Sequence, residues 1–240
     1  MTTISSVRML SYDFHIHSAL SPCGDMDMTP NNIVNMAKLL ELDAVAVSDH
    51  NSIGNAEAAI KVGKRIGQCV IPGMEVETAE AVHVLTLYPS IDRAKPVAEA
   101  VYAALPDIKN KPELFGQQAF MDEWDNIAGY EDKLLISSTS ITLNELLYMV
   151  REVGGIFIPA HVDRHSYSIL TNLGFIPDDL PIDGIEFSKN VRSVDEYLSN
   201  RPDLKGYKIL RNSDAHYLED ISEPVNFLNI SQVNELFNDK

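Results

Sequence analysis

Seven histidines occur in the 240 residues, and six of them stand beside a carboxylate or beside one another. His15 and His17 are one residue apart in YDFHIHSALSPCGD (12–25), and His50 follows Asp49. Glu75 and Glu77 come shortly before His83. His161 precedes Asp163 and Arg164, and His216 comes two residues after Asp214. Imidazole together with carboxylate is a ligand set for zinc, manganese or iron. A metal also lets many imidazoles share one place, because it binds them neutral. Any one histidine has solvent exposure or a structural bond as its ordinary explanation. Six in this pattern would need six separate coincidences, so a metal site is the reading carried forward. His165, four residues past His161, is read as an exposed loop residue.

Such a site requires elements that deliver distant residues to one point. DAVAVSDH (43–50), CVIPGMEVE (69–77), HVLTLYP (83–89), GIFIPAH (155–161), GIEFSK (184–189) and YKILRNSDAH (207–216) each read as a short apolar strand running into polar residues. Side chains two apart on a strand share a face, so His15 and His17 converge if they close one. Between strands, Thr29 and Pro30 open a helix whose apolar face is Ile33, Met36, Ala37 and Leu40. Thr142 and Glu145 form a capping box for a second, which buries Leu143, Leu146, Leu147 and Val150 and stops at Gly154. Apolar strands alternating with helices predict a parallel sheet, open or closed. In a β/α barrel the C-terminal strand ends form the face where active sites lie. Residues 91–140 break the rhythm, with the only tryptophan, Trp124, and a turn at Asp125–Asn126. They read as an excursion inserted into a single domain spanning 1–240, serving as lid, oligomer contact or structural elaboration.

The formal net charge is −16 with 45% hydrophobic residues, and the pI is near 4.7 with a mean hydropathy of −0.08. Tight binding of a long polyanion needs Lys/Arg clusters, and here the basic groupings are as small as KVGKR (61–65), which argues against long nucleic acid as a partner. No apolar run approaches the ~18 residues of a membrane span. The first residues lack the basic-then-apolar layout of a secretory leader. Cys23 and Cys69 are too few for a disulfide framework, which points to a reducing cytoplasm.

DFHIHS, SDHN, PGMEVE, AHVDR and SDAH, in this order, resemble the motifs of the PHP (polymerase and histidinol phosphatase) domain superfamily over about residues 10–90 and 140–220. The resemblance implies an α/β fold, a distorted seven-stranded (β/α)7 TIM-like barrel. It also implies two or three divalent metal ions (zinc, manganese or iron) and phosphoester hydrolysis by metal-activated hydroxide. Carried over residue by residue, His15, His17, Glu75 and Asp214 would hold the first metal. Glu75 would bridge to a second, held also by His83 and His161. A third would use His50, His216 and a ligand from the loop after the H-x-H pair. The commoner pattern has a histidine or an early aspartate in that loop. This chain offers ALSPCGD, so Cys23 or Asp25 must serve. Asp49 is expected to orient a histidine. Catalysis would rest on Glu75, His50, His216 and Arg164, the last either clamping a phosphate oxygen or forming a salt bridge to Asp163 or another carboxylate. Glu77 is read as a possible strand cap, and Glu186 with Lys189–Asn190 as substrate contacts or rim packing. The expected substrate is a small phosphomonoester or short nucleotide. The alternatives are an exonuclease-like phosphodiesterase and a non-catalytic metal-binding regulatory domain.

Overall fold

The computed structural model describes residues 9–229; the stretch read for a leader lies mostly outside them. In chain order the elements are β1 (Met9–Ile16), α1 (Pro30–Leu39), β2 (Ala44–Val47), α2 (Ala56–Ile66), β3 (Cys69–Glu77), β4 (His83–Leu87), α3 (Ile91–Ala104), α4 (Pro112–Phe115), β5 (Ala119–Met121), β6 (Ile127–Tyr130), α5 (Leu143–Glu152), β7 (Ile156–Pro159), α6 (Ile169–Leu173), β8 (Ile185–Phe187), α7 (Val194–Asn200), β9 (Ile209–Arg211) and β10 (Phe227–Asn229). Both helix starts fall where the sequence put them. Thr29 accepts from the Asn32 amide and Pro30 is the first residue of α1. Thr142 and Glu145 make the reciprocal capping box of α5. Gly154, at φ +71, carries the chain out of α5 in a conformation that costs glycine nothing. No helix among the described residues is long and apolar enough to cross a membrane.

Six strands pair in the order β10-β1-β2-β3-β4-β7. β1, β2 and β3 are parallel, but β4 is antiparallel to both β3 and β7, which corrects the all-parallel expectation. Only residues 78–82 join β3 to β4, too few for the crossover that a parallel partner requires. The hairpin has a consequence for the site, because it sets His83, the first residue of β4, opposite Glu77, the last of β3.

The described strands form an α/β fold with a curled, open sheet and not one continuous seven-stranded ladder: the six-stranded sheet curls, while β8 and β9 pair separately in parallel. At one seam β10 occupies Met9–Ser11 of β1, the positions a closing strand would need. Beyond β9 the chain lies along β1 through side chains instead. The Phe14 amide donates to Asn212 Oδ1 and the Ser213 amide to Asp13 Oδ1, with a single parallel bridge from Ile16 to Ala215. At the other seam Asp183 accepts from the Phe157 amide and the Val162 amide donates to the Glu186 carbonyl.

Tyr12, Phe14, Ala46, Leu85, Ile158 and Leu210, all from strands, fill the inside of the curl. Outside, Ile16, Val45 and Val47 pack against Ile33 and Ala37 of α1 and Ala59 and Val62 of α2. Phe14 and Ile16 thus pack on opposite sides, although their spacing alone would give them one face. A register shift between Asp13 and Ile16 lies between them. A bulge of this kind re-aims side chains, and here it brings His15 and His17 in above the apolar floor.

The 91–140 excursion is α3, α4 and the β5–β6 hairpin, whose turn is tied by Asp122 accepting from the Trp124 and Asn126 amides. It is fastened to the β2–α2 loop. Asn55 Nδ2 donates to the Ala119 carbonyl, and Asn51 Nδ2 donates to the carbonyls of Leu135 and Ser137.

Candidate metal centre

The structure brings His15, His17, His50, His83, His161 and His216 together. Ring centroids are 5.2 Å apart for His15–His17, 4.5 Å for His17–His50, 5.3 Å for His50–His83, 5.3 Å for His83–His161 and 6.1 Å for His161–His15, a closed circuit. His216 stacks on His17 at 4.4 Å. Glu75 sits in the middle. Its Oε1 lies 2.9 Å from His83 Nδ1, 3.1 Å from His161 Nε2 and 3.3 Å from His15 Nε2. Its Oε2 lies 3.0 Å from His50 Nδ1 and 3.4 Å from His17 Nε2. Asp214 Oδ1 is 3.1 Å from His17 Nε2 and 3.5 Å from His15 Nε2. His165 is exposed, as expected.

Hydrogen bonds at the rear of the rings decide which nitrogen faces inward. His216 Nδ1 lies 2.8 Å from the Asp214 carbonyl, which can only accept, so Nδ1 carries the proton and Nε2 the lone pair. Both oxygens of Glu186 lie within 3.1 Å of His15 Nδ1, with the same result. At His17 the argument takes one more step. Ser21 Oγ spends its hydrogen on Asp49 at 2.7 Å, so it must accept from His17 Nδ1 at 2.9 Å. Asp49 therefore orients a histidine as the sequence suggested, but through Ser21. Burial first, then the neighbouring His216 and His50, hold His17 well below its ordinary pKa, which keeps it neutral.

The arrangement fits a metal. Neutral His17 would aim its Nε2 lone pair at Asp214 Oδ1, a repulsive layout that an intervening cation makes attractive. His15 Nε2, His50 Nδ1 and Glu75 Oε2 are buried with no hydrogen-bond partner. Electrostatics agree. Burial alone would lower His15 and His50 and raise Glu75. Instead the carboxylates hold both imidazoles well above their ordinary values, and the imidazoles hold Glu75 well below its own. Among the described residues, donor atoms gather within 4.8 Å in three groups: His15, His17 and Asp214; His50, Glu75 and His83; and His17, Cys23, His50 and His216. His50 thus falls with Glu75 and His83 as well as with His216. Asp25 is in none of these groups, and its Oδ1 accepts from the Asp27 amide at 2.8 Å.

His50, His83, His161 and His216, with Glu75 and Asp214, line a cavity of about 310 Å³, walled also by Cys23, Glu77, Ile136, Arg164, Ser166 and Tyr167. A larger groove of about 420 Å³ between α2 and α3 has no imidazole, so chemistry selects the smaller one. Arg164 Nη2 is 2.6 Å from Asp214 Oδ2. Its expected alternative partner, Asp163, is engaged instead by the amide and hydroxyl of Ser188. Glu186 does not line this cavity; it is buried behind His15, with Asn212 Nδ2 donating to it at 2.7 Å. Lys189 pairs with Asp220 at 2.5 Å, and neither it nor Asn190 lines this cavity.

Glu77 belongs to the wall rather than merely ending a strand: its Oε2 is 3.5 Å from His83 Nε2, and Ser138 Oγ donates to Oε1. Tyr167 had no signal in the sequence, yet it stacks on His83 at 4.7 Å and its carbonyl accepts from the His83 amide. Asn51, His161, Tyr167 and Asp214 are four of the seven non-glycine residues at positive φ among the described residues. Left-handed backbone costs an L-residue roughly 1–2 kcal/mol, and such strain concentrates where a site over-determines the chain.

A family model for the PHP domain matches residues 13–165. An uncharacterized protein of Methanocaldococcus jannaschii is 30% identical over 163 residues, 68% of this chain and 18% of its own length. A second uncharacterized protein of that organism is 34% identical over 76 residues, 28% of this chain and 44% of its own. The chain therefore spans less than half of either relative. Among solved structures, a protein of Bifidobacterium adolescentis described provisionally as a metal-dependent phosphoesterase superposes with a TM-score of 0.64 at 19% identity, covering 94% of both chains. A lesion-specific endonuclease of Pyrococcus furiosus gives 0.70 at 20% identity, covering 96% of this chain and 56% of its own. These likenesses establish the fold. With the family model covering most of the chain and the histidine ring in place, the chain belongs to the PHP domain family.

Proposed function

We propose that the chain is a phosphoesterase that hydrolyses a small phosphomonoester or short nucleotide with two or three divalent metals, zinc, manganese or iron. The observation that carries this is Glu75 encircled by five imidazole nitrogens at 2.9–3.4 Å, beside a cavity open to substrate. His15, His17, Glu75 and Asp214 are the first metal's ligands; Glu75, His83 and His161 the second's; His50 and His216 belong to the third. The ions, when bound, neutralise charge on the phosphoryl oxygens and lower the pKa of water. The chain's own part is to hold them and to seat the ester. Arg164, partly exposed at the cavity wall, turns its guanidinium from Asp214 to a phosphate oxygen, a bidentate geometry that lysine cannot supply. Tyr167 and Ile136 offer the ester's organic part apolar surface.

Without β10, strands β1, β2, β3, β4, β7, β8 and β9 serve as a distorted seven-stranded TIM-like barrel, one domain with its excursion contributing Ile136 to the wall. The cavity is at the small end of ligand sites, which favours a small ester. The acidic balance, −16, disfavours a long polyanion, and the free Cys23 and Cys69 suit a reducing cytoplasm.

The likeness to a lesion-specific endonuclease favours a second reading, a phosphodiesterase acting on DNA. Metal-loaded protein should be given p-nitrophenyl phosphate, its bis-ester, a mononucleotide panel and a duplex carrying an abasic site. Chelator-sensitive turnover of monoesters is the expected result. Cleavage confined to the duplex would establish the second reading. No turnover with metals demonstrably bound would leave a non-catalytic metal-binding domain.

A further inference from the structure

We propose that Cys23 is a thiolate ligand of the third metal subsite, joining His50 and His216, and that it makes this subsite selective for a soft ion, zinc over manganese. The inference rests on the metal-centre reading above and not on phosphoesterase activity.

The loop that carries Cys23 is shaped to deliver it. Asp49 accepts from Ser18 and Ser21, and the Gly24 amide donates to the Ser21 carbonyl at 2.9 Å. A Cβ at Gly24 would lie 2.4 Å from the Ser18 carbonyl oxygen, so only glycine permits so close an approach. The next amide, Asp25, donates to the His216 carbonyl at 2.9 Å, which clips the loop to the segment bearing the partner imidazole. Asp25 spends its carboxylate on the Asp27 amide, leaving the thiol as the loop's contribution.

The partners are prepared for it. His216 keeps its proton on Nδ1, bonded to the Asp214 carbonyl, so Nε2 is the donor. His50 is only 7% exposed; its Nδ1 lies 3.0 Å from Glu75 Oε2, and the ring also falls within the 4.8 Å reach of Cys23 and His216. The Cys23 thiol lies within 4.8 Å of a ring nitrogen of both His50 and His216. His17 lies within the same 4.8 Å reach, but its Nε2 faces Asp214 at 3.1 Å, which assigns it to the first metal. The third subsite then has three protein ligands and an open position, the pattern of catalytic zinc. Thiolate favours zinc where carboxylate favours manganese. Cys23 is also exposed, so ions reach it from solvent.

The test is cobalt substitution of the whole chain. Cobalt bound by thiolate gives a charge-transfer band in the near ultraviolet. The band is expected in the unaltered protein, in Asp25→Asn and in Cys69→Ser, and is expected to vanish in Cys23→Ser. Zinc should abolish it at equal concentration, and manganese should not. Cys23→Ser should lose zinc affinity for one equivalent by more than the ~10–100-fold that an outer partner is worth. Cys23→Asp should regain that equivalent with its preference moved toward manganese. Cobalt bound without the band, or a band surviving in Cys23→Ser, overturns the proposal while leaving the metal centre intact. No cobalt uptake at all removes the metal centre and the proposal with it.

Discussion

Glu186 never reaches the cavity, yet it holds both His15 of the histidine ring and the cavity-lining His161. Its two oxygens hold the His15 Nδ1 proton, its Oε1 accepts from the His161 amide, and Asn212 holds it in turn. Such outer partners fix ring orientation and raise ligand basicity. Glu186→Gln keeps the shape but offers one acceptor oxygen where there were two, and no charge. We expect metal affinity to fall about 10–100-fold with the fold unchanged, measured by competitive titration with a chromophoric chelator. Unaltered affinity would show that His15 needs no such anchor. Arg164 differs in kind: it lies on the cavity wall and bonds a proposed ligand, Asp214. Its replacement is read through substrate affinity rather than metal content.

At the scale of elements, the seams of the curl matter more than its ladders. Where β9 runs on past Arg211, one side chain does work that a strand pair would do elsewhere: Asn212 Oδ1 accepts from the buried Phe14 amide while its Nδ2 supports Glu186. Asn212→Ala leaves the amide without an acceptor, and an unsatisfied buried group costs about 1–3 kcal/mol. A loss of that size in denaturant unfolding of the metal-free protein, with weakened metal binding, is the expected outcome. A change below about 0.5 kcal/mol, that of an ordinary surface substitution, would mean that the seam is held by something else. The β3–β4 hairpin makes the complementary point. A short connection forces β4 to run backward, and that reversal is what lets a histidine at a strand's start join residues at other strands' ends.

For the whole molecule, the centre couples stability to pH. Without metal, Glu75 lies below its ordinary value of 4.5, so its contribution is present above that pH and is lost as pH falls through its folded value. His83 lies above its ordinary 6.5, with His15, His50 and His216 shifted the same way. Their contribution is complete below 6.5 and is lost as pH rises through the folded values. Metal-free protein should therefore be most stable between these two limits and weaken on the alkaline side. Metal-loaded protein should hold its stability there, since metal replaces the departing protons. Thermal unfolding across pH, with and without zinc, checks this. A metal-free protein that grows steadily more stable from pH 6.5 upward would contradict it.

The sequence by itself determined the residue types of the candidate site, their places near strand termini, the two capped helices and the position of the excursion. These are local facts, set by periodicity, capping chemistry and residue identity, and they read off directly. It also carried the ring's membership, because six histidines beside carboxylates at strand termini leave little else for them to do. The tertiary structure alone decided the rest. The reversal of β4 and the open seams depend on connection length and on β10 taking the edge of β1, both long-range competitions for backbone partners. Glu186 behind His15, Ser21 between Asp49 and His17, and Tyr167 against His83 pair residues whose types carry no mark of the contact. Cys23 and Asp25 were equivalent in sequence. The loop's clip to His216 separated them, because a hydrogen bond between segments far apart in the chain exists only once the chain has folded.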